Sequence, residues 1–310
     1  MEVSVIIPSY NGQLKLPSTL NSLREQSFQD FQLIVVLDGS TDESLRLVQA
    51  YNDHFKDLKI IEQSNCGRAC ARNRGSAEAD GNIIIFIDDD IELRSDNIET
   101  HYKFIKDNKD RILFGMANLN PEKIQDDSFL MYRHRVEHSV DLSSSSMQFQ
   151  PVRAENYMIT TQNISISKNA FNTLGMFDER LTDSEDFEFG IRALKAGMKI
   201  FYATHLQSFH NDFPDIKKFI KRQHQYYLSK LNVLKLYPDY RQFVPEQFLW
   251  SALSWKDKPK RWVFRDSKRW FDFCNSSTFR LIPTGLQNYI FDMLIYTQSV
   301  IPVKDLIADE

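Results

Sequence analysis

The sequence predicts an α/β fold in which a mixed, mostly parallel sheet is flanked by helices and followed by a helical C-terminal extension. Three observations lead there. Through residue 116, short apolar runs alternate with helical stretches, and strands alternating with helices form a largely parallel sheet covered on both faces. A second strand–helix–strand block follows at residues 159–210. From about residue 212 the alternation stops, and helical patterns rich in aromatics and Lys/Arg take over. The expected division is therefore a sheet-bearing domain at 1–211 and a helical extension at 212–310.

The expected strands are Val3–Ile7, Phe31–Val36, Leu58–Ile61, Ile83–Ile87 and Ile112–Phe114. Helical stretches lie between them near 15–26, 42–54, 67–79 and 95–107. Ser40 and Glu43 have the spacing of a capping box that would open the second helix. Residues 117–158 are less regular, and the polar run Ser143–Ser146 reads as a loop. The later block has a strand near Ile164, a helix from about Ser184 to Ala196 and a strand at Lys199–Ala203. No internal repeat is visible.

Composition narrows the function classes. The chain has 310 residues, 42% hydrophobic and 26% charged, an ordinary globular balance. A net charge of -4 argues against a dedicated nucleic-acid partner. The average hides an asymmetry: residues 211–310 carry 16 Lys+Arg against 11 Asp+Glu, whereas residues 1–210 carry 22 against 31. Cys66, Cys70 and Cys274 are too few for a disulfide framework, and no His-Cys cluster around them has zinc-ligand spacing. They are expected to be buried small apolar residues in a reducing compartment. The amino terminus lacks a basic stretch before its short apolar run, unlike a signal peptide. The apolar stretch at 289–303 is interrupted by Asp292 and Pro302 and falls short of the ~20 residues a spanning helix needs. A cytoplasmic protein, either soluble or peripheral on the inner face of a membrane, is the expectation.

Ligands of parallel sheets bind at the carboxyl ends of the strands. That rule selects Ser9-Tyr10-Asn11, Asp38-Gly39-Ser40 and Asp88-Asp89-Asp90. Three adjacent carboxylates repel one another unless a cation neutralises them. Mg²⁺ and Mn²⁺ favour such oxygen ligands, commonly one or two carboxylates plus substrate phosphates. Neither a GxxxxGK[ST] loop nor GxGxxG occurs, so a P-loop enzyme and a dinucleotide-binding domain are unsupported. A second acidic constellation is Gly175-Met176-Phe177-Asp178-Glu179 followed by Ser184-Glu185-Asp186-Phe187-Glu188-Phe189. Ser184 or Asp183 can cap a helix there, and acids in its first turn suit the dipole. Phe187 and Phe189 would hold Asp186 near an apolar wall, and a partly desolvated carboxylate makes a competent general base.

Five motifs occur in one order: Val5-Ile6-Ile7-Pro8-Ser9-Tyr10-Asn11, Asp38-Gly39-Ser40-Thr41-Asp42, Ala71-Arg72-Asn73-x-Gly75, Phe86-Ile87-Asp88-x-Asp90, and Gly175-x-Phe177-Asp178-Glu179…Glu185-Asp186. Together they resemble the family 2 inverting glycosyltransferases, which have the GT-A fold, over about residues 1–210. The resemblance implies a nucleotide-sugar donor, usually a UDP-sugar, and Mn²⁺ or Mg²⁺ held at the DxD motif. It implies that Pro8 belongs to the nucleotide-sugar site, that Tyr10 stacks on the base, that Asp38 accepts the uracil N3 hydrogen, and that Arg72 lies near the base or diphosphate. It implies that Asp88 holds the ribose with Asp89 beside it, that Asp90 ligates the metal, and that Asp186, supported by Glu185, deprotonates the acceptor. Gln162-Asn163 stands where related enzymes contact sugar or acceptor, and His210 where they place a metal-binding or phosphate-contacting His.

Leu37 and Ile91 depart from the pattern at positions where another Asp is common. Arg261-Trp262 and Arg269-Trp270 resemble the RW of processive synthases, but Lys258 and Asp266 replace its preceding Gln, so processive polymerisation is not expected. Ile216 to Arg222 and Trp255 to Phe273 are basic and aromatic together. They read as a cap with snorkelling side chains, or as an acceptor site or a surface for anionic lipid. The expected reaction moves a sugar from a nucleotide sugar to a glycan or lipid-linked acceptor in surface-polysaccharide assembly. The alternatives are a sugar nucleotidyltransferase, which would need a basic Gly-rich loop that Ser9-Tyr10-Asn11-Gly12-Gln13 poorly matches, and a non-catalytic binder.

Overall fold

Continuous runs of branched apolar residues need burial on both faces, and the sheet's central strands obtain it. In the computed structural model, which describes residues 1–139, 147–153, 159–206, 208–243, 262–264 and 266–299, the strands are β1 (Val3–Ser9), β2 (Phe31–Asp38), β3 (Leu58–Gln63) and β4 (Ile83–Ile87). They are joined by α1 (Leu16–Arg24), α2 (Ser44–Gln49) and α3 (Arg68–Ala77). Next come β5 (Ile91–Glu92), α4 (Asn97–Asp107), β6 (Arg111–Phe114), β7 (Ala117–Leu119), α5 (Ser128–Ser139) and β8 (Phe149–Val152). The elements β9 (Asn163–Ser167), α6 (Lys168–Thr173), α7 (Glu185–Lys195), β10 (Lys199–Ala203), β11 (Ser208–His210) and α8 (Ile216–Leu236) follow. Further helices cover Ser267–Cys274 and Thr284–Ser299.

Eight strands form one sheet in the order β3-β2-β1-β4-β9-β6-β10-β8, and β5-β11-β7 form a small second sheet. Pairs β1–β2, β2–β3, β1–β4 and β6–β10 are parallel. The pairs of β9 with β4 and β6, and of β8 with β10, are antiparallel, so the sheet is mixed, as expected. Side chains alternate between two cores. Val5, Ile7, Val35, Ile85 and Ile87 pack with Leu16, Leu20, Ile98 and Ile105 of α1 and α4. Ile6, Ile34, Val36, Ile84 and Phe86 pack with Ala69, Phe171, Phe189 and Ala193 of α3, α6 and α7. Gly75 lets α3 lie close on β1, because a Cβ there would stand 2.4 Å from Ile6 Cγ2.

The chain divides into two compact units, Met1–Asn120 with Val140–Asp212, and Pro121–Ser139 with Phe213–Glu310. The second unit has an aromatic core in which Phe129 packs against Phe219 and Phe291, and Phe279 against Phe291. Tyr132 donates to Asp292 at 2.5 Å beside it. Among the described residues, no helix is long and apolar enough to cross a membrane.

Several local expectations are corrected. The Ser40–Glu43 capping box does not form: α2 begins at Ser44, whose N–H bonds Asp42, while Ser40 accepts from the Asn11 N–H. The helix expected at 42–54 ends at Gln49, and a short 3₁₀ turn covers Asn52–His54. The irregular region contains α5, β7 and β8. At α7 Ser184 is the N-cap residue, in left-handed conformation at φ 62°, and its side chain does not make the expected cap. Cys66 and Cys70 are not buried apolar residues: Cys66 is exposed, Cys70 is half-buried, and the two form a disulfide. The run Ser143–Ser146, Trp255, Lys258 and Arg261 lie outside the described residues.

Candidate active site

The strand order changes direction between β1 and β4, because β2 and β3 lie on one side of β1 and β4 on the other. Loops leaving adjacent strands at such a switch diverge and leave a crevice. The loop after β1 and Asp88-Asp89-Asp90 after β4 meet there. Ser9 donates to Asp89 Oδ2 at 2.6 Å, and Thr19 of α1 donates to the Asp89 carbonyl at 2.9 Å. Gly12 makes the approach possible, since a Cβ would stand 2.1 Å from Ser9 Oγ and 2.9 Å from Asp89 Oδ2. Pro8 is half-buried near the end of β1, and Tyr10 is 55% exposed at the crevice edge.

The small sheet brings a distant residue to this cluster. Strand β11 pairs with β5 so that His210 lies opposite Ile91, and Asn211 N–H bonds the Asp90 carbonyl at 2.8 Å. His210 Nε2 then stands 3.3 Å from Asp90 Oδ1, and Lys15 Nζ stands 3.4 Å from Asp90 Oδ2. Burial alone would raise the Asp90 pKa, but the His210 hydrogen bond and the His210 and Lys15 charges bring it down to about 2. Burial opposes the charged form of His210 as well, yet Asp90 shifts it upward overall. Asp89 goes the other way: burial and the Asp90 charge push it up to about 6. Lys15 carries no periodicity or motif signal, and the sequence reading missed it.

Asp90 Oδ1 is buried and lacks a hydrogen bond of good geometry among the described residues. The carboxylate oxygen is a ligand that Mn²⁺ or Mg²⁺ accepts, and the imidazole nitrogen beside it suits Mn²⁺ better than Mg²⁺. Among the described residues, no three His, Cys, Asp or Glu side chains converge as a complete metal cage. The pair therefore fits an ion that takes its remaining ligands from substrate phosphates and water.

A buried cation joins the other acidic cluster to this one. Arg72, on α3 and 1% exposed, donates from Nη2 to Asp88 Oδ1 and from Nη1 to Glu185 Oε1, both at 2.6 Å. The two donors of one guanidinium thus tie the end of β4 to the start of α7, a use of Arg that Lys could not replace. Arg68 adds ion pairs to Asp183 at 3.3 Å and to Glu185 at 4.0 Å. Glu185 is 1% exposed, and its Oε2 has no partner among the described residues. Asp186, the next residue, is partly exposed, and its Oδ1 accepts from the Phe187 N–H at 2.7 Å. Burial and the Glu185 charge raise the Asp186 pKa, while Arg72 pulls against the shift. Phe189 packs with Phe171 and Phe177 on the core side of the same helix turn.

Asp38 and the Oδ1 of Asn163 bond to the protein itself. Asp38 Oδ1 accepts from Gln63 Nε2 at 2.8 Å and Cys66 N at 3.0 Å, and Oδ2 accepts from Gly67 N at 2.9 Å. A carboxylate has about four acceptor positions, so one remains. Asn163 is fully buried, its Oδ1 bonded to His101 Nε2 at 2.9 Å and its Nδ2 without a hydrogen bond among the described residues. The half-buried neighbour Gln162 is the better placed of the two, since its carbonyl accepts the Asp88 N–H at 3.1 Å.

Comparison with known proteins agrees with this architecture. The structure of residues 1–349 of TarS from S. aureus with UDP-GlcNAc superposes with a TM-score of 0.55 at 20% identity, covering 96% of this chain and 90% of that one, and the complex with UDP with a TM-score of 0.58 at 19% identity. The likeness shows a GT-A-like α/β fold. Among curated relatives, the amylovoran biosynthesis glycosyltransferase AmsB of Erwinia amylovora is 29% identical over 67% of this chain and 69% of its own length. The glycosyltransferase GlyA of Streptococcus pneumoniae is 34% identical over 37% of this chain, a match that spans only 16% of GlyA. An uncharacterised Bacillus subtilis glycosyltransferase, YfnE, is 24% identical over 69% of this chain and 66% of its own length. The profile of glycosyl transferase family 2 matches residues 4–173, more than half of the chain, and the protein belongs to that family.

Proposed function

We propose that this protein is an inverting, non-processive glycosyltransferase that moves a sugar from a UDP-sugar to a hydroxyl of a glycan or lipid-linked acceptor. The observation that carries the reading is the buried Arg72, which joins Asp88 of the strand-end cluster to Glu185 beside Asp186. Two acidic clusters far apart in sequence thereby form one site. The amylovoran enzyme and the UDP-GlcNAc complex of TarS support a UDP-sugar donor and a place in polysaccharide assembly. The acid-free helix α8, with Lys217, Lys218 and Lys221 exposed, favours an acceptor met at an anionic surface on the cytoplasmic side of a membrane.

In this reading Tyr10 stacks on uracil and Asp38 accepts the N3 hydrogen through its remaining lone pair. Asp88 holds the ribose, with Arg72 fixing the carboxylate. Lys15 adds fixed positive charge beside the acids. Asp186 removes the proton from the acceptor hydroxyl, and that oxygen attacks the anomeric carbon as the UDP oxygen departs from the opposite face. Glu185 is a positioning residue, held by Arg72. A divalent ion bound by Asp90 and His210 would supply charge neutralisation for the leaving diphosphate.

The test is product analysis with a panel of UDP-sugars and oligosaccharide acceptors. Acceptor-dependent release of UDP, with the new bond of opposite anomeric configuration by NMR, is the expected result. Pyrophosphate formed from a sugar phosphate and UTP would assign a nucleotidyltransferase instead. UDP-sugar binding without turnover would assign a non-catalytic binder.

A further inference from the structure

We infer that Cys66 and Cys70 form a thiol–disulfide modification site that controls nucleotide binding, with a cellular dithiol as its reactant. The inference rests on the reading of Asp38 as the nucleobase contact. It starts from the position of the bridge. The disulfide closes the turn that leads into α3, with Gly67 at the N-cap and Cys70 in the first helical turn. Both backbone N–H groups that hold Asp38 come from this turn, Cys66 N at 3.0 Å and Gly67 N at 2.9 Å. Gln63 Nε2 joins the same unit, lying 2.8 Å from Asp38 Oδ1 and 2.9 Å from Cys66 Sγ. The turn also carries Arg68, and α3 continues to Arg72, so both acidic clusters are reached from it.

Without the bridge, two features would let this turn move. Gly67 has φ 93° and open space where a Cβ would stand, so no side chain of its own anchors it; besides the Asp38 clasp the turn keeps the Asn65 Nδ2 bond to the Asp38 carbonyl at 2.9 Å and the Ala71 N–H bond to the Gly67 carbonyl at 3.0 Å. Cys66 and Asn65 are exposed. The disulfide is therefore a direct covalent restraint on the N–H groups that orient Asp38, and it favours a base site already in its binding geometry.

The chemistry is balanced by an external dithiol. One of its thiolates attacks the exposed Cys66 Sγ, forming a mixed disulfide and releasing Cys70 as thiolate. A thiolate in the first turn of a helix is a favourable leaving group. The second thiol of the reductant then attacks its own sulfur of the mixed disulfide and releases Cys66. Two electrons and two protons pass to the protein, giving two thiols, and the reductant leaves as a cyclic disulfide. Oxidation by a disulfide of the same class reverses the sequence. Cys274, in the second unit, has its thiol pushed up to about 12 by burial and takes no part.

The experiment uses the full chain carrying Cys274→Ser, oxidised or reduced with dithiothreitol, the state being verified by mass spectrometry after alkylation. UDP affinity is measured by calorimetry, and amide exchange at residues 64–68 by hydrogen–deuterium mass spectrometry. Reduction is expected to weaken UDP binding about tenfold, the size of one lost preorganised contact. It is also expected to raise exchange at Cys66 and Gly67. Cys66→Ser/Cys70→Ser should match the reduced state under both conditions. Equal or tighter UDP binding after verified reduction overturns the inference. If UDP binds in neither state, the nucleotide-site reading fails. Amide exchange then decides the restraint alone, and unchanged protection at Cys66 and Gly67 overturns it.

Discussion

The Asp88–Asp90 cluster and the Glu185–Asp186 pair are built from the same residue types yet treat their charges differently. At the end of β4, cations face the acids directly: His210 and Lys15 hold Asp90 ionised, with a pKa near 2. At the start of α7, Arg72 takes one oxygen of Glu185, while burial and that neighbouring charge raise the Asp186 pKa. The first arrangement keeps a negative charge available to a cation and a diphosphate. The second keeps a carboxylate basic enough to accept a proton. What separates them is where the nearest positive group points, which residue identity alone does not specify.

The most direct way to break this contrast is to remove the basicity of Asp186 while keeping its shape. Asp186→Asn is expected to lower sugar transfer by about 10²–10⁴-fold, the contribution of a general base. UDP affinity should stay within about tenfold, because the base acts on the acceptor proton. Calorimetry for UDP, run beside product detection, checks both halves. Near-normal transfer would move the role to Glu185. The wild-type rate should also fall as pH drops, since only the ionised carboxylate accepts a proton. With its pKa raised, the midpoint should lie above the ordinary carboxylate value of about 4. Residual activity of Asp186→Asn should lack this acid limb. A limb that persists points to the other cluster, where burial and the Asp90 charge push the Asp89 carboxyl up to about 6 and Asp90 shifts His210 upward.

Removing Arg72 attacks the link between the clusters. Arg72→Met leaves Glu185 buried without its closest cation, and such a loss costs about 3–5 kcal/mol of stability. Urea unfolding should show that drop, and Arg72→Met/Glu185→Gln should recover part of it. A drop below about 1 kcal/mol would show that Arg68 alone can hold the pair. On the other side of the contrast, Asp90→Ala should abolish the gain in UDP affinity that Mn²⁺ gives the wild type, a loss of about 10–100-fold. UDP titrations with Mn²⁺ and with EDTA measure it, and an undiminished gain in the variant would remove Asp90 from the ion's ligands.

The sheet was legible in the sequence wherever burial was continuous. Strands β1, β2 and β4 read directly because both faces are buried, and Ile83–Ile87 was recovered to the residue; the edge strand β3 read from its short apolar run Leu58–Ile61 alone. Helix α5 was missed because its weakly sided pattern, SFLMYRHRVEHS, packs among the aromatic residues of the second unit. Order along the chain was enough to nominate Asp38, Asp88, Asp90, Asp186 and His210. It could not reveal Lys15 at Asp90, the bidentate bridge of Arg72 or the burial of Asn163, since these depend on strand order and on β11 pairing with β5. The Cys66–Cys70 bridge escaped because two cysteines four apart give no framework pattern.

Asp38 sharpens the comparison from outside both clusters, because its charge is satisfied by N–H donors and not by cations. Three such bonds hold it, from Gln63, Cys66 and Gly67, and one acceptor position is left for a ligand. Uracil presents N3–H as a donor, whereas the corresponding edge of adenine presents an acceptor at N1. A carboxylate oxygen therefore attracts the first and repels the second. Asp38→Asn retains size and one carbonyl oxygen but turns the other acceptor into a donor. Its fold should survive, and part of the clasp on Cys66 and Gly67 will loosen. That loosening weakens every nucleotide, so the informative quantity is the ratio of UDP to ADP affinity. We expect the wild type to prefer UDP and Asp38→Asn to lose about tenfold of that preference, roughly 1.4 kcal/mol, the size of one hydrogen bond to a charged group. Competition calorimetry with the two diphosphates reads the ratio directly. A ratio unchanged in the variant, with both affinities lowered equally, would leave Asp38 as a holder of the Cys66 turn and give the base contact to another residue.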